Sequence, residues 1–107
     1  MEELMIDKVI LDSISDAVVT VPGVASFANF AAKSASELKT EDISKAVELT
    51  SADITDRVKV HIILINGVNI RDVVKEVQIR VKYELEKLSQ FVRNYIVDVA
   101  VDDLIVL

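Results

Sequence analysis

The sequence predicts a single α+β domain over residues 1–107, built as a small mixed sheet of about four to five strands with two main helices packed on one face. Three observations carry this. Hydrophobic side chains make up 51% of the chain and aromatics only 5%, so the core must come from Val, Ile, Leu and Ala, which favours strands and tightly packed helices over an aromatic pocket. Two segments repeat their apolar residues at helical spacing, and three others alternate apolar with polar. No stretch rich in Pro, Gly or Ser is present to link two domains, and the length is that of one ordinary domain.

Residues 2–6 read as a short opening strand, with Asp7 placed to cap a helix from Lys8 to Thr20. Val9, Ile10, Ile14, Ala17 and Val18 form its apolar face, while Lys8, Asp12, Ser15 and Asp16 take the other. Val21-Pro22-Gly23-Val24 stops the helix, because Pro22 disfavours helical geometry in Val21 and Gly23 can take positive φ. Ala25 to Phe30 reads as a strand. Ala31 to Asp42 has no period and reads as a loop or a short helical excursion.

Lys45 to Thr50 alternates, with Val47 and Leu49 opposite Ala46, Glu48 and Thr50, and Asp56 to Ile65 alternates more strongly. The polar run Ser51 to Thr55 joins them as a hairpin connection. In the second strand Val58, Val60, Ile62 and Leu64 share one face, and Lys59, His61, Ile63 and Ile65 the other, so its last half needs cover on both sides. Asn66-Gly67 makes a turn, Asn69 caps the best-specified helix, and Asp72 in the first turn complements the helix dipole. Ile70, Val73, Val74, Val77, Val81, Leu85 and Leu88 form its stripe. A closing strand from Arg93 sets Tyr95, Val97, Val99 and Val101 against Asn94, Ile96, Asp98, Ala100 and Asp102, and Leu104 to Leu107 follow as four apolar residues.

Composition then narrows function. Eighteen acidic against 12 basic side chains give a net charge of −6, which disfavours nucleic acid and anionic membrane surfaces, since both are bound through clustered Lys and Arg. The absence of cysteine excludes disulfides and thiolate chemistry and fits a reducing cytoplasm. The acidic start Met1-Glu2-Glu3 and the lack of an apolar run of about 20 residues give no expectation of export or direct membrane insertion.

No catalytic, cofactor-binding or metal-binding residue emerges. His61 is the only histidine, so no His pair exists, and a strand histidine satisfied by a hydrogen bond or by solvent is the expected reading. Asp98, Asp102 and Asp103 match no calcium-loop spacing. With Gly23 and Gly67 as the only glycines, neither a phosphate-binding loop, a dinucleotide fingerprint nor a KH-type Gly-x-x-Gly loop can be assembled. The charges of the second long helix, Arg71, Lys75, Arg80, Lys82 and Lys87 among Asp72, Glu76, Glu84 and Glu86, read as a solvated face with local ion pairs.

Val21-Pro22-Gly23-Val24 after the first helix, and Val58-Lys-Val-His-Ile-Ile-Leu-Ile-Asn-Gly-Val-Asn-Ile70 leading into Val73-Val-Lys-Glu-Val-Gln78, resemble the alkaline shock protein family of bacterial envelope stress proteins. The matching positions are Gly23, Val24, Gly67, Val68, Asn69, Ile70 and the strand Ile96 to Val101; residues 25–44 depart from the pattern, having no glycine where the family is glycine-rich. The resemblance implies a non-enzymatic cytoplasmic protein without cofactor that self-associates and gathers near the membrane through a membrane-anchored partner, supporting tolerance of envelope or alkaline stress. The residues themselves point to contact between copies through apolar side chains left exposed at Ile63, Ile65 and Ile96, or along the closing strand near Leu104 to Leu107. A reading from a different class is a small regulatory or ligand-binding subunit for an enzyme that handles lipid or acyl groups.

Overall fold

The computed structural model describes residues 8–107, so the expected opening strand at 2–6 and the Asp7 cap lie outside the described residues. The chain runs α1 (Lys8–Val19), β1 (Val24–Ala28), β2 (Lys39–Thr40), β3 (Val47–Ala52), β4 (Thr55–Ile65), α2 (Ile70–Leu88) and β5 (Asn94–Ile105), with single 3-10 turns at Ala35–Glu37 and Ile43–Lys45. The five strands make one mixed sheet, and the architecture is α+β as expected.

β4 is the axis of this sheet. Along one edge β5 runs parallel to it over its whole length, from Thr55 opposite Asn94 to Ile65 opposite Ile105. A parallel partner cannot be reached by a tight turn, and α2 is the crossover that makes the pairing possible. The other edge of β4 is shared by two antiparallel strands placed end to end: β3 pairs with Thr55 to Val60, and β1 with Ile62 to Leu64. Between them the His61 N–H donates to the Ala46 carbonyl at 2.8 Å. β2 adds two residues outside β1.

Both helices cover the same face. Val58, Val60, Ile62 and Leu64 are fully buried beneath Val73, Val77, Val81 and Leu85 of α2 and Leu11, Ile14, Ala17 and Val18 of α1. The α2 stripe follows one i, i+4 line, Val73, Val77, Val81 and Leu85, and its expected end members Ile70 and Leu88 are each 43% exposed at the two ends of the helix. In α1, Leu11 replaces the expected Val9, which is exposed. Arg80 ties the two helices together, pairing with Glu76 on its own helix and donating to the Thr20 carbonyl and hydroxyl just after α1.

Local chemistry sets the boundaries. Gly23 has φ +98°, and a Cβ there would sit 3.0 Å from Val73 Cγ2, so a bare backbone is needed where the turn after α1 meets α2. The Asn69 side chain accepts from the Asp72 N–H at 3.1 Å, the N-cap bond expected from the sequence. Asn69→Ala is expected to lower stability by about 1 kcal/mol, read as a lower urea midpoint with unchanged slope. The hairpin turn is shorter than Ser51 to Thr55: β3 continues to Ala52, β4 starts at Thr55, and Asp53 takes φ 50° in the two-residue connection. Residues 31–42, which have no sequence period, and the residues that flank them are held by scattered backbone bonds such as Asn29 N–H to Leu38 O and Phe30 N–H to Lys45 O.

Candidate interaction surface

The face of the sheet away from the helices carries Glu48, Arg57, Lys59, His61, Ile63, Ile96, Asp98, Ala100 and Asp102. It is far more polar than a bare apolar face. Arg57 donates to Asp98 at 2.7 Å, and the His61 ring lies between two acids, Nδ1 at 2.8 Å from Asp102 and Nε2 at 2.6 Å from Glu48. Phe30 lies against the same ring with centroids 5.4 Å apart. His61 is 7% exposed, buried rather than half-buried as expected, and its expected hydrogen bonding is found with carboxylates on two other strands. Among the described residues no group of three or more His, Cys, Asp or Glu side chains is arranged to hold a metal ion.

The expected contact residues separate into two sets. Ile63 is only 3% exposed, and the expectation that it presents open apolar surface is corrected. It sits mid-sheet between Ser26 of β1 and Asp103 of β5, Ala28 at the end of β1 is completely buried, and Phe30 lies on the His61 ring. Ile65 is half-buried. Ile96, Leu104 and Leu107 are 42%, 40% and 90% exposed. All three lie on β5 or directly beyond it, and among the described residues no strand pairs with the outer edge of β5.

A second group of exposed apolar side chains was not legible as a surface. Ile54, Phe91 and Val92 are 63%, 63% and 71% exposed at the start of β5, where the Asn94 N–H donates to the Ile54 carbonyl at 2.8 Å. Gln90 and Phe91 both take positive φ, 58° and 63°, to turn the chain from α2 into β5. Two adjacent non-glycine residues in that region are strained. The signal available was the lack of any glycine after Leu88.

The same end of β5 is fixed by a pair absent from the sequence reading. Arg93 grips Asp56 with two bonds of 2.7 and 2.8 Å, and Asp56 is 6% exposed. The Arg93 guanidinium holds the Asp56 carboxyl below the usual carboxylate range, against the burial that would raise it, with lesser help from Ser51 and Tyr95. Burial, followed by the charge of Asp56, pushes the Tyr95 phenol up.

Open grooves flank the helices. One, of about 390 Å³, lies between α1 and α2 and is lined by Ala17, Thr20, Ile79, Arg80 and Tyr83 among others; neither it nor the groove between α1 and β1 is enclosed. Among the described residues no helix is long and apolar enough to cross a membrane.

No curated protein and no solved structure matches the chain. One family model does, over residues 2–106, and it describes a family with a cell envelope-related function. That match takes in the Gly23 turn, the Gly67-Val68-Asn69-Ile70 helix start and the whole of β5, and on it the chain belongs to the alkaline shock protein family.

Proposed function

We propose that this protein is a non-enzymatic structural component of cell envelope maintenance under envelope or alkaline stress, acting in the cytoplasm by self-association and by binding a membrane-anchored protein. The observation that carries the reading is the outer edge of β5. Twelve residues of extended backbone, Asn94 to Ile105, leave one edge without a strand among the described residues, and exposed Ile96 and Leu104 flank it with Leu107 beyond. An open edge of this length is a template for another strand. Two of its three acids do not stand alone as a repulsive guard, because Asp98 is paired with Arg57 and Asp102 with His61, while Asp103 accepts from the Leu104 N–H. The occupant is a second copy of this chain, set edge to edge around a two-fold axis so that each β5 supplies the same groups to the other.

The double variant Ile96→Lys, Leu104→Lys tests this. Both positions are exposed, so the fold is expected to persist, with unchanged circular dichroism, while lysines on the edge block strand pairing and the protein sediments as a monomer. A folded double variant that associates as strongly as the parent would exclude β5 as the contact. Lipid that co-purifies with a strictly monomeric parent would favour a ligand-binding subunit instead, with the groove beside Arg80 and Tyr83 as its site.

A further inference from the structure

His61 is held in a way that depends on its own protons. A carboxylate only accepts hydrogen bonds, and a neutral imidazole has one N–H and one lone pair. The links to Asp102 at 2.8 Å and Glu48 at 2.6 Å can both be donated only by the doubly protonated ring. With one proton the ring keeps one link and turns a lone pair toward the other acid. The two acids are unequal: the Glu48 side chain is 46% exposed and that of Asp102 26%, so Glu48 exchanges the ring for water at lower cost.

Position adds a second asymmetry. Asp102 is the extra residue where the β4–β5 register slips from Ile62 opposite Val101 to Ile63 opposite Asp103. A bulge in a parallel pair is rare, and its unpaired residue is here anchored by the ring. Glu48 lies on β3, beside the join where Ala46 accepts the His61 N–H and Phe30 covers the ring. The charged groups around the site are Glu48 on β3, Asp98, Asp102 and Asp103 on β5, the last opposite Ile63, and Arg57 and Lys59 on β4. Arg57 is engaged with Asp98, β1 has no titratable side chain, and residues 29–46 contribute Phe30, with Lys45 next in sequence to the Ala46 join.

We propose that His61 is a proton-dependent latch on the outer sheet face: doubly protonated, it ties β3 and the β5 bulge to β4, and on losing a proton it keeps Asp102 and releases Glu48. Release removes one positive charge from the face and frees a carboxylate beside the join between β3 and β1. The end of β3 and the turn carrying Phe30 then loosen, while the bulge stays anchored. The device stands whether or not copies of the chain associate.

A titration of ¹⁵N-labelled protein by NMR from about pH 5 to pH 9 tests it. The expected result is that the His61 ring passes from two protonated nitrogens to the Nδ1–H tautomer, and that the amide signals of Val47 to Leu49 and Phe30 shift with the same midpoint. In Glu48→Gln the neutral amide can accept from an N–H or donate to a lone pair, so the ring should still titrate while those amides no longer follow it. A ring carrying a single proton throughout, a neutral ring protonated on Nε2, or β3 amides that ignore the titration in the parent protein would each overturn the latch.

Discussion

Replacing Ile63 by Lys is expected to unfold the protein, or nearly so, rather than to separate its copies. Ile63 is 3% exposed, with β1 on one side and β5 on the other. The substitution gives up the burial of an isoleucine, about 2 kcal/mol, and leaves an ammonium that must either displace its cover or stay desolvated, at several kcal/mol more. A total of about 5 kcal/mol or more is a large share of the roughly 5–15 kcal/mol that holds a domain together. Ile96→Lys, on the same sheet face but 42% exposed, is expected to change stability by no more than about 0.5 kcal/mol. Urea unfolding of the two variants side by side checks both, and equal midpoints would show that Ile63 is not covered.

The other large effect belongs to the Asp56–Arg93 pair. Arg93→Met removes both bonds and leaves Asp56 buried without its countercharge, and is expected to lower the melting temperature clearly at neutral pH. Because the pair holds the folded-state carboxyl below its unfolded value, its contribution is complete above the unfolded pKa of about 3.9 and is lost as pH falls through the lower folded value. The parent and Arg93→Met should therefore differ most near neutral pH and converge in strong acid. A difference in melting temperature that stays constant down to about pH 2 would assign the effect to packing by the arginine stem instead.

What could be read from the sequence was whatever depends on local period. The stripe from Val73 to Leu85 and the alternation from Val58 to Leu64 each specify an element and its buried face, and Asn69 marks a helix start by its own cap bond. What could not be read depends on which strands meet. Alternation places Glu48, His61 and Asp102 on one face, but only the parallel register of β5 and its slip at Asp102 bring the two acids to the same ring. Alternation likewise puts Ile63 outside, and its position with β1 on one side and β5 on the other depends on pairings that alternation does not name. The sharing of one β4 edge by β1 and β3 is of the same kind, since each strand alone would have been satisfied by the whole edge. Asp56 reads as an ordinary strand acid until Arg93, 37 positions on, arrives beside it.

The central claim, that this family member works by associating with itself, is tested most directly by the mass of the purified protein in solution across a concentration series, from light scattering coupled to gel filtration. The account predicts a mass that rises from the 11.8 kDa of one chain to at least twice that as concentration increases. A mass fixed at that of one chain throughout the series would contradict it and leave the edge of β5 to a different protein.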